Sequence, residues 1–400
     1  MEYAFTTAAL WLFLAVLSAL LASALRLSIA LVEICVGVAA GSVLDAFGAT
    51  ELLAANSEWL RFLAGTGAVL LTFLAGAELD PKVMRTKLAE VNVIGLVGFF
   101  APFLGCAALA YYGLGWNADA SWLAGIALST TSMAVVYAVM LETGLNKSEF
   151  GKGILGACFI NDLGTVIALG LLFSPFTYKT VLFVAVTAIM LWLLPAVTAW
   201  LTHHYGHRTA AIRTKWIMLM LFSLGALALW SGSEAVLPAY LAGMVLAGGA
   251  ANDTHWMLRL RTLTVGFLTP FYFLRAGTLV SLPALVTAPV VVLSLLAGKV
   301  ASKIFGLYPF IGLFRQHPTE RWFYTLLMST GLTFGTISAL FGLAHGLVSH
   351  DQYSFLVAAV IASAVVPTVI AVKAFPPIHL MPAPHVHTRA SMQSGLSDEG

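Results

Sequence analysis

Asn161 and Asp162 stand side by side in the middle of an apolar stretch, residues 154–173, in which Asp162 is the lone charge. A carboxylate at the centre of a membrane helix costs about 2.5–3.5 kcal/mol on insertion scales, so an acid there marks a functional site by default. Protonated, Asp162 is neutral and tolerated; deprotonated, it requires a cation. That alternation is the chemistry of a proton-for-cation exchanger. The competing account is a hydrogen-bonded acid that only holds helices together, and the residues around it decide between the two.

Sodium and potassium are hard cations that seek oxygen: carboxylate, hydroxyl, backbone carbonyl and water. One apolar segment before Asp162 the chain reads Ser129-Thr130-Thr131-Ser132, a hydroxyl cluster at mid-span where an ordinary membrane helix carries Leu and Ile. Asp162, Thr131 and Ser132 supply the oxygen set, with unwound backbone around Thr130 as an addition and Asn161 beside the acid. Gly156 and Gly164 permit a neighbouring helix to approach closely. Lys299 and Lys303 lie four residues apart, on one face of a later span. Ammonium groups at that depth need a partner. The Asp162 region is the spatial candidate, where a lysine would stabilise the empty carboxylate and be displaced by an arriving cation. For the lysine farther from Asp162 the alternative is snorkelling to the cytoplasmic end or a structural pair. Three more charges are candidates for a funnel or for support. Glu33, deep in the second span, is expected to be hydrogen-bonded within the scaffold. Glu78, at the inner end of the third, either lines an inward funnel or is a helix-end charge. Arg275, in the outer half of the tenth, pairs with an acid such as Glu33 or lines an outer vestibule.

The elements that must position these groups follow from composition. Of 400 residues, 60% are hydrophobic and 10% charged, and the mean hydropathy is +0.92. These values describe an all-α polytopic membrane protein, not a soluble globule. Net charge is +2, with no basic cluster apart from loops, so nucleic acid is not an expected partner. Apolar segments of membrane-crossing length fall at 5–25, 28–47, 60–79, 92–112, 119–141, 150–173, 180–202, 214–231, 235–250, 262–281, 285–313, 322–346 and 353–375. Thirteen spans put the termini on opposite sides. With the N-terminus outside and the C-terminus inside, fifteen of the 20 Lys and Arg fall on cytoplasmic connections and only Arg61 and Lys179 on outer ones. This is the positive-inside bias; one span more or fewer would put downstream basic loops on the wrong side. The segment 5–25 lacks an upstream basic region and a small-residue cleavage site, so it is expected to be a retained span. Cys35, Cys106 and Cys158 lie in apolar runs and are expected as small core residues, without disulfides or metal. Residues 376–400, rich in Pro, His and Ser, are expected to form a short disordered cytoplasmic tail. Its His379, His385 and His387 have metal-binding chemistry, though solvated side chains are the preferred account.

A second hydroxyl cluster, Ser329, Thr330 and Thr333, lies seven spans after the first. An odd offset means opposite orientation. Paired interruptions in opposite orientation are the mark of inverted-topology repeats, here spans 2–6 against 9–13, whose discontinuous helices cross near the midplane and turn freed backbone groups to the ion site.

These residues resemble the monovalent cation:proton antiporter superfamily, in its second bacterial branch of sodium/proton antiporters and potassium-efflux proteins. The resemblance runs from about Leu25 to Phe375. Glu33 with Gly37 and Gly41 resembles an early Glu-x-x-x-Gly-x-x-x-Gly helix, and Gly76-Ala77-Glu78-Leu79-Asp80 a Gly-x-Glu-Leu-Asp signature. Ser129–Ser132 resembles the unwound crossing helix, Asn161-Asp162 the ion-binding carboxylate, and Pro270-Phe271-Tyr272-Phe273 a Pro-x-Phe-Phe segment. The resemblance implies a homodimer of two-lobed protomers, with a core lobe (about 92–173 and 285–375) moving against a dimerisation lobe made of the remaining spans. It implies competition of cation and proton for Asp162, a basic partner on span 11, Lys303 before Lys299, and electroneutral exchange because Asn precedes the Asp. Arg275 departs from the family's small or polar residue. A nucleotide-binding tail of the potassium-efflux kind is not present, so nucleotide or glutathione gating is not expected.

The expected protein is therefore a transporter and not an enzyme. It is an electroneutral Na+ or K+/proton antiporter of a prokaryotic cytoplasmic membrane, working without a cofactor. The alternative is a sodium-coupled solute symporter on a similar crossed-helix scaffold, with an organic-substrate pocket and no proton movement. An intramembrane protease would need Gly-x-Gly-Asp, His-Glu-x-x-His or a Ser/His dyad, and none occurs.

Overall fold

Transmembrane chains must satisfy every backbone polar group internally, so a lipid-facing chain of this composition has helices as its economical solution. The computed structural model describes residues 2–25, 28–77, 87–145, 148–173, 177–205, 211–233, 235–250 and 254–381, and among them every regular element is helical. The first three spans are α1 (Glu2–Leu25), α2 (Ile29–Ala46) and α3 (Glu58–Ala77). The fourth is α4 (Leu88–Ala108), ending in a π turn, Leu109–Gly113. Then come the pair α5 (Ala118–Ser129) and α6 (Met133–Glu142), followed by α7 (Glu149–Phe173), α8 (Tyr178–Tyr205), α9 (Ile212–Ser231) and α10 (Val236–Ala250). The remainder comprises α11 (Thr254–Leu263), a π turn Thr264–Leu268 and α12 (Thr269–Thr278), then α13 (Leu282–Thr287) and α14 (Pro289–Ile311). A second pair, α15 (Pro318–Met328) and α16 (Thr333–Ala344), precedes α17 (His350–Ala374).

Ten described helical segments are long and apolar enough to cross a membrane. The three expected spans beyond these fall on the interrupted pair α5–α6, on α10 and on α11–α12. Two expected segments differ in kind. The tenth begins at Thr254, not 262, and is interrupted by a π turn. The eleventh divides at Ala288, because Pro289 opens a new helix where its missing N–H is not needed. Side chains that would be core in a soluble protein face outward: Trp192 on α8 is 80% exposed. Helix association in such a chain rests on close packing and not on burial from water. Gly37 shows how close. A Cβ there would strike the Leu274 carbonyl, and one at Gly277 would strike that of Ile34, so α2 and α12 touch backbone to backbone. Gly76 and Gly243 set the same contact between α3 and α10.

The helices pack in two sets. In one, α4 lies against α5, α7 and α14, while α17 lies against α14, α15 and α16. In the other, α3 packs on α10 and α12, α2 on α1 and α12, and α8, α9 and α10 on each other. Where α10 meets α7, Tyr240 stacks on Phe159 at 5.3 Å and donates its hydroxyl to the Phe159 carbonyl at 3.0 Å. At the Leu88 end of α4, Glu90 accepts a bidentate pair of bonds from Arg315, Nε to Oε1 at 3.0 Å and Nη2 to Oε2 at 2.9 Å, closing the foot of the first set. Residues 376–381, expected as the start of a disordered tail, are folded against it: Trp322 stacks on Phe375 at 5.4 Å and the chain turns at Ile378–Leu380. His385 and His387 lie outside the described residues. Cys106 and Cys158 are buried and free, whereas Cys35 is exposed and so departs from the expected core position.

Candidate functional site

At the two breaks, Ser and Thr hydroxyls bond carbonyls near the helix ends and so compete with continuation of the helix. Ser129 Oγ donates to Ile126 O (2.8 Å) and Thr130 Oγ1 to Ala127 O (3.0 Å), after which Thr130 turns extended, with φ −61° and ψ 152°. On the second helix Ser329 Oγ donates to Thr325 O (2.8 Å) and Thr330 Oγ1 to Leu327 O (2.7 Å). Thr333 then opens α16, half-buried. The extended segments cross. Ser132 N donates to Thr330 O at 3.1 Å, and Thr131 Oγ1 donates to Met328 O at 2.8 Å. Residues nearly 200 apart in sequence thus satisfy each other's freed backbone groups.

Lys299 and Lys303 project from α14 onto this crossing, both fully buried. Lys299 Nζ donates to Thr130 O at 3.1 Å and Lys303 Nζ to Thr131 Oγ1 at 3.1 Å. Neither snorkels. Gly331 makes room for this arrangement: a Cβ there would strike Lys299 Nζ and come within 2.9 Å of Thr130 Oγ1.

Asp162, on α7, is 1% exposed and Asn161 fully buried. Asp162 Oδ1 and both polar atoms of the Asn161 side chain have no hydrogen-bond partner. Buried polar atoms are almost always bonded, so three orphans on adjacent residues describe a seat shaped for something not supplied by the chain. The polar groups acting on the Asp162 carboxylate are Lys303, the Thr131 backbone N–H and Lys299. Carboxylate, amide oxygen and Thr131 hydroxyl form an oxygen set suited to a hard cation or a proton.

Of the supporting charges, Glu33 is 2% exposed but its Oε2 has no partner, which departs from the hydrogen-bonded role expected of it. Arg275 donates from Nε to Ala55 O at 2.7 Å and, with Arg61, Tyr272, Ile337 and His350, lines a cavity of about 710 Å³ between the two helix sets. Asp162 does not line that cavity. Glu78 lies outside the described residues.

Four residues escaped sequence reasoning. Tyr240 reaches the Asp162 helix from an ordinary-looking apolar span. Ser363, on α17, is buried beneath the second break and donates to Val360 O at 2.8 Å; a lone Ser in an apolar helix gives no signal. Glu90 and Arg315 lie 225 residues apart, and only their pairing in space gives them a role.

Two crossed, interrupted helices over a buried acid and two buried lysines define a polytopic helical membrane protein of the crossed-helix transporter class. The profile of the transmembrane sodium/hydrogen exchanger family matches residues 12–373, and the chain belongs to that family. It is 25% identical over 250 residues to the probable Na+/H+ antiporter 3 of Methanocaldococcus jannaschii, a match covering 60% of this chain and 63% of that protein. It is 24% identical to Na+/H+ antiporter NhaS4 of Synechocystis over 82% of this chain and 85% of that one. With the glutathione-regulated potassium-efflux protein KefC of Salmonella arizonae it shares 26% over 76% of its own length, though only 50% of that longer protein is covered. In fold it is similar to the sodium proton antiporter MjNhaP1 of M. jannaschii, with a TM-score of 0.67 at 14% identity over 93% of this chain and 99% of that one.

Proposed function

We propose that this chain exchanges a monovalent cation, sodium or potassium, for a proton across a prokaryotic cytoplasmic membrane, with both competing for Asp162. The observation that carries this is the unpartnered Asp162 Oδ1, buried against the crossing of two broken helices. Family membership supports it, as do relatives whose names are those of Na+/H+ antiporters and a potassium-efflux protein; these names give the solute-symporter alternative no support.

In the proposed cycle, Asp162 is neutralised by a proton or by a cation, and only the neutralised state crosses. A single titrating carboxylate beside an amide makes the exchange electroneutral, one proton for one cation. Asn161 Oδ1, Thr131 and Ser132 complete the cation's oxygen shell, while Lys303 first and Lys299 second balance the carboxylate when it is empty. The set built on α4–α7 and α14–α17 is the moving core lobe. The set built on α1–α3 and α8–α12 is the scaffold, through which two protomers dimerise. The bias of basic residues supports an N-terminus outside and a C-terminus inside.

The test is cation-induced dissipation of a pH gradient in proteoliposomes, with sodium, potassium and lithium compared. Asp162→Asn, inserted at wild-type levels, should abolish the signal. A potassium/valinomycin clamp, applied during the sodium assay, should leave the wild-type signal unchanged. Retained exchange in Asp162→Asn would overturn the assignment, and a rate that follows the clamped voltage would overturn electroneutrality.

A further inference from the structure

Away from the crossing, one group of metal-ligating side chains converges among the described residues. His317 is the N-cap residue of α15 and makes no capping bond with its side chain. Glu320 sits in the first turn of the same helix, and His379 in the turn that follows α17. One donor atom from each of the three lies within 4.8 Å of the other two. His379 Nε2 is 2.7 Å from Glu320 Oε1, and the two imidazole rings are 4.7 Å apart at 43°. Glu320 is 6% exposed, whereas both histidines reach the surface. A buried carboxylate thus lies under two accessible imidazoles.

We propose that His317, Glu320 and His379 bind a divalent transition-metal ion of the zinc class. The donor set selects the metal. Imidazole nitrogens suit Zn2+, Cu2+ and Ni2+, while Ca2+ and Mg2+ want six or more oxygens. Zinc takes His nitrogen and carboxylate oxygen at about 2.0–2.2 Å, often with three protein ligands and a water. Tetrahedral bonds of that length put donor atoms about 3.3 Å apart. The site therefore needs only side-chain rotation: the His379–Glu320 gap opens by about half an ångström as the ion replaces the shared hydrogen, and His317 moves in. The frame around the donors is already set. Pro318 starts the helix between His317 and Glu320, the Trp322–Phe375 stack seats the chain leading to His379, and Leu380 and Met381 pack on the neighbouring core. A bound ion would fasten the segment after α17 to α15, the first half of the second crossing helix. The proposal does not depend on the transport assignment, since it is read by binding alone.

The experiment is titration of the full-length chain, purified in detergent and stripped with a chelator, with Zn2+ against a chromophoric competitor and with Co2+ followed by its visible ligand-field bands. One site per chain is expected, with a Co2+ spectrum of low coordination number. His317→Ala and His379→Ala, both at exposed positions that leave the core intact, should each weaken binding at least tenfold. The double variants His203→Ala/His204→Ala and His385→Ala/His387→Ala should bind as the parent does. Absence of stoichiometric binding would overturn the proposal, as would binding that survives both single variants or is lost in either double variant.

Discussion

Thr131 holds the crossing together with one hydroxyl. Its Oγ1 donates to Met328 O at 2.8 Å and accepts from Lys303 Nζ at 3.1 Å, in a site that is 1% exposed at Thr131 and 0% at Lys303. Thr131→Val keeps the shape and removes both bonds. It leaves a carbonyl at the end of α15 and an ammonium group without these partners. An unsatisfied buried group costs about 1–3 kcal/mol, with charged groups at the upper end, so the pair should cost about 2–5 kcal/mol. Thr131→Ser keeps the hydroxyl and loses only a methyl group. The assays are thermal unfolding in detergent and the apparent cation affinity in proteoliposomes. Since about 1.4 kcal/mol is a factor of ten, Thr131→Val should weaken affinity about five- to sixtyfold if half the cost falls on the cation-binding state. Thr131→Ser should stay within about threefold of the parent, well under that step. If Thr131→Val unfolds at the parental temperature and exchanges with parental affinity, the crossing is not held by this hydroxyl and the account of the site is wrong.

Glu33→Gln replaces a buried acid, one of whose oxygens has no partner, with an amide of the same shape. Exchange should stay within about threefold of the parent, and a collapse would show that Glu33 takes part in the ion cycle. Arg315→Met removes the bidentate partner of Glu90, whose side chain is 9% exposed against 16% for the arginine. The cost should be about 2–4 kcal/mol, between a surface pair and a fully buried one. Adding Glu90→Gln should recover part of it in a double-mutant cycle, and strict additivity would refute coupling. Gly243→Leu should prevent accumulation of monodisperse protein, because its Cβ alone meets Ala77 N at 2.8 Å and the Phe73 carbonyl still closer. Gly248→Leu, on the same helix with open space around it, should be tolerated, and equal yields of the two would refute the close α3–α10 crossing.

Which parts of this were legible in sequence follows from how each signal is encoded. Hydropathy encodes membrane helices through composition alone, so α7 and α17 came out within a few residues of their ends. It cannot see a π turn, and the one at Thr264–Leu268 gives no signal because its residues, Thr-Val-Gly-Phe-Leu, are ordinary helix residues in a membrane. The breaks at Thr130–Ser132 and Ser329–Leu332 were legible because hydroxyl clusters are costly at mid-span. Their mutual pairing was legible because an odd number of spans separates them. The family resemblance flagged Gly37 and Gly41 on α2, but their partner carbonyls on α12 are a tertiary fact. The lysines were legible as buried charges. Their bonds to Thr130 and Thr131 became visible only when α14 was placed over α5. Tyr240 and Ser363 carry no sequence signal, since a single polar atom in an apolar helix is common and its use depends on what it faces.

The arrangement of those lysines bears on how a cation enters. Each break ends one helix half in free carbonyls and starts the next with free N–H groups. In crossed-helix transporters such groups are the natural ligands of the coupling ion. Here the carbonyls are already occupied: Thr130 O by Lys299, Met328 O by Thr131, and Thr330 O by Ser132. What remains open is Asp162 Oδ1 and the Asn161 side chain. A cation seated there gains a third oxygen by displacing Lys303 from Thr131 Oγ1, which still donates its own hydrogen to Met328. In the proposed cycle Lys303 is thus a placeholder whose bond is exchanged for the cation's, while Lys299 keeps the end of α5 bonded throughout. Removing Lys303 should therefore alter cation affinity, whereas removing Lys299 should loosen the crossing itself. That separates two residues whose spacing in the sequence makes them look alike.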